Sequence, residues 1–128
     1  MEKSPGHQQW PEHTISETLH NDQHIEVKVA DELVAAADDV LELKEDKHPP
    51  RYYFRREDIK LDKLEPSATR SECPFKGKAT YFHLHAGDQR FDDAVWAYDE
   101  PYAEHARLQG RVAFYSEKLP GFHLNPPL

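Results

Sequence analysis

A single cysteine, Cys73, stands in the chain, so no internal disulfide forms and a four-cysteine zinc site is excluded. The five glycines are scattered, and none belongs to a Gly-x-x-x-x-Gly-Lys-Ser/Thr loop. A glycine-rich cradle for nucleotide phosphates is therefore absent. No apolar run approaches the roughly 18 residues that a membrane-crossing helix needs. The polar opening segment, with Glu2, Glu12 and Glu17, lacks the apolar centre of a secretory signal. Basic side chains are in the minority, 16 against 24 acidic ones, for a net charge of −8. Such a surface repels phosphate backbones and anionic headgroups, so neither duplex nucleic acid nor a membrane is an expected partner. These absences make the cytoplasm the expected compartment.

The 128 residues are 38% hydrophobic and 31% charged, the composition of one globular domain. A chain of this size buries roughly two-thirds of its unfolded surface and needs no disulfide staple. Residues 1–23, punctuated by Pro5, Gly6 and Pro11, read as a polar N-terminal arm. Residues 24–117 read as the domain, and 118–128, with Pro120, Pro126 and Pro127, as a loose tail.

Ile25, Val27 and Val29 alternate with Glu26 and Lys28, the period-two pattern of a half-buried strand. Leu33–Ala36 and Val40–Leu43 read as two more strands. Leu33, Ala36, Ala37, Val40 and Leu41 also fit helical spacing, but Asp38-Asp39 lies where a turn would fall and favours strands. Arg51–Phe54 is a short aromatic strand after Pro49-Pro50. Arg56–Asp58 reads as one helical turn, Ile59–Leu61 as extended chain, and residues 64–74 as a loop. The clearest strand is Lys78–His85, followed by a Gly87-Asp88 hairpin turn and a strand over Ala94–Tyr98. Pro101 opens a short helix that Gly110 stops, and Val112–Tyr115 closes the domain. About seven short strands with one or two short helices indicate a mainly β, antiparallel fold.

Few groups point to chemistry. Asp38-Asp39 and Asp92-Asp93 are neighbours that would face opposite ways on a strand, so solvated turns explain them. His83 and His85 share a strand face and have a zinc-compatible spacing, but no third ligand is evident, and neither metal nor cofactor is expected. Cys73 lies in Cys73-Pro74-Phe75-Lys76-Gly77, where Lys76 would favour a thiolate, or where the thiol is simply a small buried group. Arg51 beside Tyr52-Tyr53 suits an anionic or planar ligand. Trp96 and Tyr98, two apart, leave one face and form two walls of one site, or pack in a core.

Six blocks in order have the look of a known family: Pro49-Pro50-Arg51-Tyr52-Tyr53-Phe54; Arg56-Glu57-Asp58-Ile59; Leu64-Glu65-Pro66-Ser67-x-Thr69; Cys73-Pro74-Phe75-Lys76-Gly77-x-Ala79-x-Tyr81; Ala94-Val95-Trp96-x-Tyr98-x-x-Pro101; and Val112-Ala113-Phe114-Tyr115. Together with Pro5-Gly6-His7 and Pro11-x-His13-x-Ile15, they resemble the bacterial family called domain of unknown function 427, sometimes labelled a nucleotidyltransferase. The resemblance implies a β-tent fold similar to Mss4-like proteins. Many relatives of that fold carry paired Cys-x-x-Cys zinc knuckles, which this chain lacks. Arg55 stands where members commonly have proline, a departure that bears on the turn at Arg55-Arg56.

Three functions remain open. The first is a small-molecule binding domain, with Tyr53, Tyr81, Trp96 and Tyr98 as walls, Arg51 and Lys76 as anion partners, and a planar or anionic, nucleotide-like ligand. The second is an enzyme with Cys73 as nucleophile or redox thiol, Lys76 as its activator, and the hydroxyls of Ser67 and Thr69 binding and orienting the substrate. A nucleotidyl transfer with Lys76 against phosphate is a weaker form of it. The third is a protein-interaction module.

Overall fold

The computed structural model describes residues 1–128. A short helix, α1 (Pro5–Gln9), precedes ten strands: β1 (Ile15–His20), β2 (Ile25–Val29), β3 (Glu32–Ala37), β4 (Val40–Glu45), β5 (Arg51–Arg55), β6 (Leu64–Cys73), β7 (Gly77–Ala86), β8 (Gln89–Pro101), β9 (Arg111–Phe114) and β10 (His123–Asn125). Seven form one antiparallel sheet in the order β1-β4-β5-β9-β8-β7-β6, and β10-β2-β3 form a second. The fold is mainly β and antiparallel, as expected. No helix is long and apolar enough to cross a membrane.

Alternation explains the layers. Ile25, Val27 and Val29 of β2 and Val34, Ala35 and Ala37 of β3 face one side of the large sheet. There they meet Val40, Phe54, Phe82, Leu84, Val95, Val112 and Phe114 in a cluster of 18 buried residues. The residues between these on the central strands point the other way. Leu41, Leu43, Tyr53, Ala79, Tyr98 and Ala113 form a second cluster of seven with Leu108 from the 3-10 turns at Ala103–Leu108. The large sheet is thus apolar on both faces, and the second face is covered only in part.

Three strands, β1, β6 and β10, lie where an arm, a loop and a tail were expected. Each is an edge strand. An edge strand is held by backbone hydrogen bonds to one neighbour and need not bury alternate side chains, so its sequence shows no hydrophobic period. Strand β6 even carries Pro66, which an edge tolerates. Asp92-Asp93 also departs from expectation: the pair sits inside β8 at a break in the β7–β8 register, with Asp93 at φ 52°. The helix after Pro101 is a pair of 3-10 turns broken at His105, ending before Gly110 at φ 77°. The Gly87-Asp88 turn has φ 56° and 60°, the geometry of a tight two-residue hairpin.

Gly77 begins β7 at φ 129°, and a Cβ there would lie 2.9 Å from the Glu100 carbonyl oxygen. It lets the chain after Lys76 enter the sheet against β8. Gly77→Ala is therefore expected to lower unfolding stability by about 1 kcal/mol or more. A chemical-denaturation curve unchanged from wild type would contradict this account.

Candidate functional site

The pleat builds the site one strand at a time. Register pairs run Leu41–Tyr53, Tyr53–Ala113, Ala113–Trp96 and Trp96–Tyr81 across β4, β5, β9, β8 and β7. This row lies on the partly covered face. Ala113, the small member, leaves room for its neighbours to lean together. Trp96 Nε1 donates to the Tyr53 hydroxyl at 3.1 Å, and the rings meet edge-on. Burial pushes the Tyr53 and Tyr98 hydroxyls far above their ordinary pKa, so both are neutral donors.

A cavity of about 280 Å³ opens over this row. Seven of the nine expected site residues line it: Arg51, Tyr53, Cys73, Lys76, Tyr81, Trp96 and Tyr98. Sequence reasoning did not single out Glu45, His48 or Tyr115, which also line it. Extending the Leu41–Leu43 alternation by two would have brought Glu45 to this face, and Tyr115 follows Ala113 in the same way. The Arg51 guanidinium carbon lies 5.3 Å from the ring centres of both Trp96 and Tyr115. Its two terminal nitrogens donate to the Glu117 carboxylate at 2.5 and 2.8 Å. That clamp holds the Glu117 pKa down to about 2.

At the other end Lys76 Nζ donates to Glu45 Oε1 at 2.7 Å, and His13 Nε2 donates to Oε2 at 2.8 Å. Burial pushes the Glu45 carboxyl up, but the bonds and charge of Lys76 and the His13 bond outweigh it and hold it below its usual value. Both cations of the cavity therefore already have carboxylate partners. Cys73 is half-buried beside Lys76.

Ser67 and Thr69 are elsewhere. Their hydroxyls donate to the two carboxylate oxygens of Asp93 at 2.5 and 2.7 Å, tying β6 to the irregular point of β8. They do not line the cavity. His83 accepts from the Asp93 backbone N–H, and His85 bonds Glu65. No group of three or more His, Cys, Asp or Glu side chains gathers in metal-holding geometry.

The family model described as domain of unknown function (DUF427), which carries a nucleotidyltransferase name, matches residues 17–123. The chain belongs to the DUF427 family. No curated protein matches it. The DUF427 match takes in the whole aromatic row and begins after the N-terminal segment, which packs against Pro74, Phe75 and His105.

That segment is held by a polar chain with little sequence signal. Ser4 is fully buried and donates to the Pro74 carbonyl at 2.6 Å, while Gly6 N–H donates to the same oxygen at 2.8 Å. A Cβ on Gly6 would lie 2.7 Å from that oxygen, so only glycine allows this approach. His13 stacks on Phe75, with ring centres 4.3 Å apart. Buried His105 donates from Nδ1 to Glu17 at 2.7 Å. Its Nε2 then accepts, and His7 Nε2, 2.8 Å away, donates. Burial first, and His105 second, lower the His7 pKa below 6.5. Glu104 and Glu45 pull it up and His13 pushes it down.

The folded protein thus resists protonating His7, whereas the unfolded chain does not. The contribution of His7 is complete above pH 6.5 and is lost as pH falls through that value toward the lower folded pKa. Amide protection over residues 4–13, relative to the intrinsic exchange rate at each pH, is therefore expected to fall between pH 7.5 and 5, and His7→Gln should flatten that dependence. Protection of the segment that is level across this range would contradict the account.

Proposed function

We propose that this DUF427 domain binds a small, planar, polar ligand in the aromatic cavity above β5, β9 and β8. The observation that carries this is the cavity's composition. Trp96, Tyr98, Tyr81 and Tyr115 surround an opening that ends in a buried lysine paired with a half-buried glutamate. Aromatic walls with a few placed polar groups are the usual make-up of a small-molecule pocket. At about 280 Å³ the space suits one compact heterocycle better than a whole dinucleotide.

The charge pattern narrows the ligand. Arg51 is committed to Glu117 and Lys76 to Glu45, so a free anion finds no unpaired cation here. A neutral ring with both donor and acceptor edges could bond the Lys76–Glu45 pair without separating it. This favours a planar ligand over a purely anionic one, and it weighs against nucleotidyl transfer driven by Lys76.

A thiol-dependent reaction is the second reading, because Cys73 opens onto the same cavity as Lys76. With Ser67 and Thr69 bonded to Asp93, that reading rests on Cys73, Lys76 and Glu45 alone.

In a Trp10→Phe background the remaining tryptophan is Trp96. A panel of nucleobases, nucleosides and aromatic amides should contain a compound that quenches Trp96 and raises Tm. At a hundredfold excess over Kd, binding stabilises by about 2.7 kcal/mol. Failure of the whole panel on both readouts would remove the binding proposal.

The same compound should slow alkylation of Cys73 at neutral pH, since thiol and ring share one cavity. If Cys73 labels only after denaturation, the thiol reading is lost while the binding proposal stands.

A further inference from the structure

Along the same sheet face, beyond the Tyr53–Leu41 end of the aromatic row, a second cleft is lined by Arg55, Arg107 and Arg111 over Leu19 and Leu41. We propose that this cleft binds the dianionic phosphate group of a small ligand.

Arg55 and Arg111 are direct register partners across β5 and β9. They stand two residues from Tyr53 and Ala113, so both leave the sheet on the face that carries the cavity. Like charges opposite one another are unfavourable in a sheet. Arg107 joins them from the 3-10 turns before Gly110. Of the charged side chains that line the cleft three are arginines and one, Glu57, is acidic, while Glu17, Asp39 and Asp58 stand within 4 Å of the arginines from outside that lining. A small anion that enters the cleft meets the guanidinium groups of its lining, while the acidic surface repels a polymer of phosphates.

The three arginines are not equally engaged. Arg111 is a fixed anchor: it donates to Asp39 at 2.7 Å and to the Tyr53 carbonyl at 3.2 Å. Arg55 approaches Asp39 and Asp58 through Nε only, at 3.6 Å each, and Arg107 approaches Glu17 through Nε at 3.7 Å. These separations exceed hydrogen-bond length, and both side chains are exposed and line the cleft. Burial raises the Asp58 pKa, and its carboxylate oxygen nearest Arg55 is buried without a hydrogen-bond partner. Asp39 is shared between Arg55 and Arg111. Two exposed forks beside one anchored guanidinium match the geometry by which arginine takes phosphate oxygens in pairs. Gly110 flanks the cleft at φ 77°, with nothing within 4 Å of where a Cβ would stand, so the approach is open.

The test titrates the full chain with inorganic phosphate and pyrophosphate at constant ionic strength, followed by calorimetry and Tm, with chloride and acetate as controls. The phosphates should bind and stabilise, and the controls should not. Arg55→Gln with Arg107→Gln changes only exposed side chains and should weaken phosphate binding by about tenfold or more, the loss of charge-assisted hydrogen bonds. Its far-UV spectrum and ligand-free Tm should stay near wild type. Equal effects of chloride and phosphate, or wild-type binding by the double variant, would overturn the proposal. Should the double variant fold poorly, Arg107→Gln alone must weaken phosphate at least severalfold, and unchanged binding overturns the proposal equally. Phosphate should leave Trp96 fluorescence unchanged, and a compound that quenches Trp96 should still do so in the double variant. The two sites therefore succeed or fail separately.

Discussion

In the central strands β5, β9 and β8 every second side chain must enter the apolar layer beneath the small sheet, and the intervening ones make whatever the other face becomes. Phe54, Val112 and Val95 are spent on the layer. Tyr53, Ala113 and Trp96 are thereby turned outward, in register, one per strand. A shift of one residue in any of these strands would exchange core for site, so the packing of the first cluster protects the geometry of the second. The same pleat carries Arg51 and Arg55 to either side of Tyr53, and with them the two clefts.

The outward face is not left as an apolar patch. Its middle is closed by Leu108 and by the Tyr53–Trp96 contact. One end is closed by ion pairs. Taking Lys76 and Glu45 out of water is costly unless each has a partner, and here each partners the other, with His13 on the second carboxylate oxygen. The N-terminal segment is therefore part of the site's electrostatics. Removing it would strip one bond from a half-buried carboxylate and uncover Phe75.

Much of the fold was legible because central strands must be apolar on alternate positions. Val27 between Glu26 and Lys28, and Phe82 and Leu84 in the strand after Gly77, carry that signal openly. The edges were not legible. Leu64–Cys73 reads as a loop because an edge strand paired only with β7 shows no hydrophobic period, and His123–Asn125 is too short to show one. The aromatic walls were visible as a pair, since Trp96 and Tyr98 are two apart. Ser67 and Thr69 are close to Cys73 in sequence, whereas in space their hydroxyls are turned to Asp93.

By itself the sequence determined the fold class, the absence of a glycine-rich phosphate loop, and that Trp96 and Tyr98 share one strand face. These follow from short-range rules of period and composition. Only the tertiary structure decided which charges neutralise one another. Lys76 meets Glu45 across 31 residues, Arg51 meets Glu117 across 66, and His105 meets Glu17 across 88. Ion pairing depends on distance in space, and chain topology sets that distance without leaving a local pattern to read.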